Sequence, residues 1–172
     1  MRILVMGGTG YIGGRLVPRL LDAGHDVRVI VRDPLKLRDV PWAPRVEIVT
    51  GDLTDVPATA HALAGMDAAY YLVHAMGGRG DFEKTERTSA QNVARAAKAA
   101  GLKRIVYLGG LHPHVPLEKL SKHLRSRAEV GRILLDSGVP TVAYQAGVVI
   151  GSGSASFEMI RHLTPRSPRP PA

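Results

Sequence analysis

Six short runs rich in Val, Ile and Leu recur along this chain, separated by longer and mostly polar stretches. They are RILVMG (2–7), DVRVIVR (26–32), VEIVTGD (46–52), DAAYYLVHAM (67–76), KRIVYLGGL (103–111) and PTVAYQAGVVIG (140–151). Apolar runs this continuous mark strands buried on both faces, and helices between them make the strands parallel. Helical spacing occupies residues 11–24, 56–65, 82–101 and 120–138, with Gly24, Gly101 and Gly138 as stops, and a further helix begins within GSGSASFEMIRHLTP. The fold class that follows is α/β, a parallel sheet of about six strands with helices on both faces. Pro18 lies inside the first helix, where its ring crowds the carbonyl of Gly14, and a kink is expected there.

Between the first strand and its helix stands MGGTGYIGG, residues 6–14, in which Gly7, Gly10 and Gly13 form G-x-x-G-x-x-G. Glycine costs stability wherever a side chain would serve, so this density implies a tight turn or a close approach. In a strand–turn–helix unit the first glycine makes the turn and the second lets the backbone approach a pyrophosphate. The third lets the helix lie close to the strand. The anion would rest on unpaired N–H groups at the positive end of the helix. A Rossmann-type doubly wound sheet is therefore expected over residues 1–163, with a Pro/Arg-rich disordered tail at 164–172.

The end of the second strand then bears on the cofactor. An acidic residue there bonds the ribose hydroxyls of NAD, whereas Arg accommodates the 2′-phosphate of NADP. Here Arg32 comes first, Asp33 follows, and Lys36 and Arg38 stand nearby. Cationic groups suit a phosphate dianion, which favours NADP(H), while Asp33 leaves NAD(H) open. The alternative is a solvated charge cluster at a strand end.

Composition narrows the classes further. A chain of 172 residues fits one domain with a proper core. It has no cysteine, which excludes disulfides, thiolate chemistry and Cys-ligated zinc and fits a cytoplasmic location. No apolar run reaches the length of a membrane span. The formal charge is +8 and the pI about 10.2. The basic residues are scattered and aromatics few, which argues against nucleic acid and for a phosphorylated small molecule. His112 and His114 follow the fifth strand, but no spacing supplies the further ligands a metal needs. His25 and His61 read as surface residues, and the strand tyrosines Tyr70, Tyr71, Tyr107 and Tyr144 as packing. The loop MGGRGDF (76–82) lies at the same sheet edge, where it could close over a bound cofactor or simply connect two elements.

GGTGYIGG, VRVIVRDP, GDLTD and RIVYLGGL, in this order, resemble the atypical short-chain dehydrogenase/reductases, specifically the NmrA-like and epimerase/dehydratase-related NAD(P)-binding proteins. The resemblance covers about residues 1–160. It implies a nicotinamide dinucleotide across the C-terminal strand ends. Asp52 and Leu53 would lie against the adenine; Val73, His74 and Ala75 would line the path to the nicotinamide ribose. Thr9, Tyr11 and Ile12 would contact the diphosphate.

The family's catalytic groups are a Ser after strand five and Tyr-x-x-x-Lys on the next helix. Here Gly109 or Gly110 stands at the Ser position, and the match puts His123 in place of Tyr and Arg127 in place of Lys. An imidazole can pass a proton near neutrality, and Arg can hold a hydroxyl or phosphate. The rival reading is a polar helix face turned to solvent (Lys122, His123, Arg125, Arg127) opposite an apolar stripe of Leu120, Leu124, Ala128, Gly131 and Leu135. Relatives of this pattern continue into a substrate region, so the chain reads as nearly a bare cofactor domain whose open side favours self-association. The functions that follow are hydride transfer to a small carbonyl-type substrate, or cofactor sensing without catalysis.

Overall fold

The computed structural model describes residues 1–74, 81–113 and 115–164. β1 (Arg2–Met6), α1 (Gly13–Asp22) and β2 (Asp26–Val31) open the chain, followed by two 3-10 turns (Pro34–Leu37 and Ala43–Arg45) and β3 (Glu47–Thr50). Then come α2 (Val56–Leu63), β4 (Ala68–Tyr71), α3 (Phe82–Ala99), β5 (Arg104–Gly110), α4 (Lys122–Leu135), β6 (Thr141–Ala146) and α5 (Ala155–Leu163). The six strands form one sheet in the order β3-β2-β1-β4-β5-β6. Every pairing is parallel, as in the register Val5 opposite both Val29 and Tyr70. This is the expected doubly wound α/β architecture. The strand order reverses at β1, and ligand crevices of such sheets open outside the carboxyl ends at that reversal.

Two apolar layers follow from the period-two alternation of the strands. Leu4, Met6, Ile30, Ala69, Tyr71, Ile105 and Tyr107 face one side and pack with Leu63, Ala90, Val93, Ala97, Val130 and Leu134 from α2, α3 and α4. Ile3, Val5, Val27, Val29 and Val31 face the other side, against Val17 and Leu20 of α1. Leu37, Trp42 and Ala43, from the polar, Pro-containing connection after β2, complete that layer. Pro18 sits inside α1 without ending it. Gly24, Gly101 and Gly138 end their helices with φ of +78°, +66° and +81°.

β4 and β6 are shorter than the sequence runs suggest. The run at 67–76 leaves the sheet after Tyr71, and the run at 140–151 leaves it after Ala146. Of the described residues beyond those points, Leu72, Val73, His74 and Val149 become cleft wall. β6 has no buried residue, and Tyr144 on it and Val148 and Ile150 just after it are exposed.

Arg28 interrupts the apolar run of β2 yet is buried. Its Nη1 donates to the carbonyls of His61 (3.3 Å), Ala62 (2.9 Å) and Ala64 (2.9 Å), at the C-terminal end of α2. A cation there answers both the unpaired carbonyls and the negative end of the helix. Its Nε lies 2.9 Å from Glu47 Oε2 but lacks the alignment of a hydrogen bond. At the same rim Asp67 accepts from the Arg2 N–H at 2.8 Å and from Lys103 Nζ at 2.7 Å, tying the starts of β1, β4 and β5 together. No helix among the described residues is long and apolar enough to cross a membrane.

Candidate functional site

The glycines behave individually. Gly7 turns the chain out of β1 with φ +96°, and the Gly10 N–H closes the turn on the Gly7 carbonyl at 3.0 Å. Gly13 starts α1, and a Cβ on it would overlap the Gly7 carbonyl oxygen and come within 2.7 Å of Gly8 Cα. Ile12 occupies the N-cap, and no side chain caps the first turn. The positive end of α1 therefore opens on a crevice without a protein group plugging it.

That crevice holds about 480 Å³ and runs along the C-terminal strand ends. Gly7, Thr9, Gly10, Tyr11, Ile12 and Gly13 form its centre. Arg32, Asp52 and Leu53 line the β2–β3 end, while Val73 and His74 line the β4 end. Asp33 and Lys36 are absent from the wall. Asp33 instead caps the 3-10 turn that follows, its Oδ1 accepting from the Leu35 N–H at 3.0 Å, and Lys36 is exposed. Ala75, the 76–80 part of the expected loop, His114 and the tail from 165 lie outside the described residues. A larger concavity of about 660 Å³, lined by Arg87, Arg125, Glu129, Arg132 and Asp136, lies along α3 and α4 and shares no residue with the glycine loop.

Electrostatics divide the crevice into two ends. Partial burial raises the Asp52 carboxyl, but bonds from the Thr54 N–H (2.8 Å) and hydroxyl (2.7 Å), with the Arg32 charge, outweigh it and leave the group below its ordinary value. At the β4 end His74 is exposed at the crevice mouth, yet partial desolvation of its ring pulls the imidazole down; Arg127 and His123 act in the same direction, and Glu86 opposes them. Burial pushes the Tyr107 phenol up to about 12 and the Tyr71 phenol higher still. Both phenols therefore stay protonated near neutrality, and the Tyr107 hydroxyl donates to the Arg127 carbonyl at 2.9 Å.

His123 and Arg127 do not line the crevice. His123 is exposed on the first turn of α4. Arg127 is buried, its Nη2 donating to the Leu108 carbonyl at 2.5 Å and its guanidinium lying 5.6 Å from the Tyr107 ring centre. The solvent-face reading of α4 is corrected for Arg127. The helix buries Ser126, Arg127, Val130, Gly131 and Leu134, and Leu135 of the expected apolar stripe is exposed. Polar groups on α3 and β5 made that rotation of the helix possible, since Ser126 donates to Glu86 and Arg127 finds a β5 carbonyl. At the usual Ser position, a Cβ on Gly109 would stand 2.9 Å from the Tyr107 ring.

Several wall residues escaped sequence reasoning. Thr85, Glu86 and Ser89 reach the crevice from α3, Val149 from the segment after β6, and Ser154, Ala155 and Ser156 from the start of α5. Asn92 supports the wall from behind: its Nδ2 donates to the carbonyls of Leu53 (2.9 Å) and Thr54 (3.0 Å). A buried amide on an otherwise Ala-rich helix was the available signal. Among the described residues no group of three His, Asp or Glu side chains could hold a metal ion.

A strand order reversing at β1, with an uncapped glycine turn at the reversal, defines the dinucleotide-binding class of α/β sheets. A family model described as NAD(P)H-binding matches residues 7–138, and the chain belongs to that family. It is 35% identical over 116 residues to a 3 beta-hydroxysteroid dehydrogenase/Delta 5-->4-isomerase of Mycobacterium tuberculosis, covering 62% of this chain and 30% of that protein. It is 34% identical over 138 residues to a (4-alkanoyl-5-oxo-2,5-dihydrofuran-3-yl)methyl phosphate reductase of Streptomyces griseus, covering 80% and 44%. Among solved structures, the Bordetella bronchiseptica enzyme WbmH in complex with NAD+ superposes with a TM-score of 0.76 at 21% identity, covering 96% of this chain and 63% of that one. The chain thus spans less than half of the curated relatives it matches.

Proposed function

We propose that this chain binds NADP(H) in the crevice and serves as the cofactor domain of an oxidoreductase acting on a small carbonyl-type substrate. The observation that carries the NADP preference is the division of labour between neighbours: Arg32 lines the crevice while Asp33 is engaged in its own turn. Arg32 would take the 2′-phosphate, Asp52 and Leu53 the adenine, and the amides from Tyr11 to Gly13 the diphosphate. Val73 and His74 would bound the nicotinamide ribose. The bound cofactor supplies the hydride, and the chain holds and orients it. Two relatives support carbonyl or alcohol chemistry, since one is a dehydrogenase and the other a reductase by name.

In this reading the bound substrate extends from the crevice to the first turn of α4, where the exposed His123 would pass the proton, and the buried Arg127 holds that helix against β5. A second reading is cofactor sensing without turnover, favoured by glycine at the Ser position and by an Arg127 already committed to the Leu108 carbonyl.

Fluorescence titration with NADPH and NADH tests the cofactor. We expect NADPH to bind more tightly and Arg32→Ala to remove the difference, a loss of about tenfold or more for one charge-assisted bond. Equal affinities in the unaltered chain would remove the NADP assignment. NADPH oxidation against a carbonyl panel, repeated with His123→Ala, separates the two readings. Turnover abolished by the change supports the proton role, turnover untouched by it refutes that role, and absence of turnover in the unaltered chain favours sensing.

A further inference from the structure

One face of α3 is polar although the helix is otherwise rich in alanine. Thr85, Glu86, Ser89 and Asn92 follow one another at helical spacing and share that face. The first three line the crevice, and Asn92 holds its wall from behind. Glu86 is the one charged member of the set, and it is only 5% exposed. Burying a carboxylate costs far more than burying a carboxamide, which could accept the same hydrogen bond. Packing alone would be served by glutamine.

Two ion pairs flank Glu86 on the seam between α3 and α4. Arg125 donates to Glu83 (2.9 and 3.2 Å), and Arg87 donates to Glu129 (2.6 and 2.9 Å). Between them the Ser126 hydroxyl donates to Glu86 Oε2. A hydroxyl is a neutral donor, so it fixes the carboxylate without cancelling its charge. Of the other polar side chains at this end of the crevice, Tyr71 keeps its proton, Thr85 and Ser89 are neutral, and His74 is drawn towards its neutral form. Arg127 acts on the same region but lies off the wall, its Nη2 on the Leu108 carbonyl. Among the described residues lining that end, Glu86 therefore supplies the one full charge.

We propose that Glu86 sets the redox preference of the bound cofactor: its carboxylate favours the oxidised nicotinamide ring over the reduced one. The assignment rests on the cofactor reading above, which puts the nicotinamide end beside Val73 and His74. Oxidised and reduced cofactors share their adenine, diphosphate and ribose groups and differ in the ring, which carries a positive charge only when oxidised. Contacts at the glycine loop and at Arg32 are therefore common to both forms. A negative charge at the far end can tell them apart, and in a half-enclosed cleft such a charge acts over several ångströms.

The test is calorimetric titration of the full chain with NADP+ and with NADPH, circular dichroism checking the fold of each variant. Glu86→Gln keeps the shape and an acceptor for Ser126 but removes the charge; Glu86→Asp keeps the charge. We expect Glu86→Gln to weaken NADP+ about tenfold relative to NADPH, which for a two-electron couple raises the bound potential by about 30 mV. Glu86→Asp should leave that ratio within about twofold of the unaltered chain, whatever it does to the two affinities together. A ratio unmoved by Glu86→Gln overturns the assignment; if both forms weaken alike, the carboxylate holds a group they share. A ratio moved as far by Glu86→Asp overturns it too, since shape and not charge is then at work. Should Glu86→Gln not fold, the unaltered chain decides: NADP+ bound more tightly than NADPH supports the assignment, and equal or reversed affinities overturn it. If neither these nor NAD+ and NADH bind, the cofactor reading itself is removed and the assignment falls with it. Where only NAD+ and NADH bind, their ratio is read in the same way, and the 2′-phosphate reading alone is lost.

Discussion

Alanine at Gly13 and alanine at Gly14 should have opposite effects, although the two residues are adjacent in α1. A Cβ on Gly13 would overlap the Gly7 carbonyl oxygen and approach Gly8 Cα at 2.7 Å and Gly7 C at 2.8 Å. All three obstacles are backbone, so the glycine turn itself must shift. Overpacking against three backbone atoms falls in the upper part of the usual range, about 2–3 kcal/mol, and the helical preference of Ala over Gly returns about 1 kcal/mol. The net loss is about 1–2 kcal/mol, or about 2–8 °C in Tm for a domain of this size. A Cβ on Gly14 meets only the Gly8 carbonyl oxygen at 3.8 Å, an ordinary contact. There the propensity gain stands alone, and Gly14→Ala should raise Tm by about 2–4 °C. Thermal and urea unfolding measure both, and NADPH titration should show affinity lost only at Gly13. A Gly13→Ala variant as stable as the parent, or a Gly14→Ala variant as damaged as its neighbour, refutes the steric argument.

Asn92→Ala frees the carbonyls of Leu53 and Thr54, so it should cost about 1–3 kcal/mol in urea unfolding and weaken NADPH more than NMN, which lacks the adenine. Arg28→Ala leaves three α2 carbonyls without their donor and should cost about 2–3 kcal/mol, while Glu47→Gln at the exposed end of the ion pair should cost under about 1 kcal/mol. The His74 imidazole is held below its ordinary value of 6.5 by partial desolvation and by Arg127, so folding favours the neutral ring. Its contribution to stability is complete above that value and is lost as pH falls through it towards the depressed folded pKa. His74→Gln should therefore flatten the fall in urea midpoint between about pH 7 and pH 5; an unchanged slope would discount the His74 share.

The parts of the fold set by local pattern were readable from the chain. Val/Ile/Leu runs, glycine stops and the G-x-x-G-x-x-G turn each report a backbone requirement that neighbours in sequence impose. Arg32 and Asp33 show where that legibility ends. Both are cationic or anionic residues at one strand end, and only the 3-10 turn after them decides which one caps and which one faces the crevice. Arg127 shows the same limit on α4, because its burial depends on a carbonyl of β5 contributed 19 residues earlier. Glu86 and Ser154 entered the wall without any motif, since a polar residue on a helix looks solvated until its neighbours are known. The expected acid–base pair came from matching positions with a family pattern, and position alone does not place a side chain in a cleft.

A sheet with every strand running the same way has two unlike rims. The carboxyl rim carries the glycine turn, Arg32, Asp52, His74 and the start of α5; the amino rim carries the Asp67 knot between β1, β4 and β5 and the Arg28 tie to α2. Random mutagenesis of such a chain should sort along this axis. Lesions at one rim would leave soluble protein that no longer retains ligand, and lesions at the other would lower the yield of protein while the molecules that survive still bind.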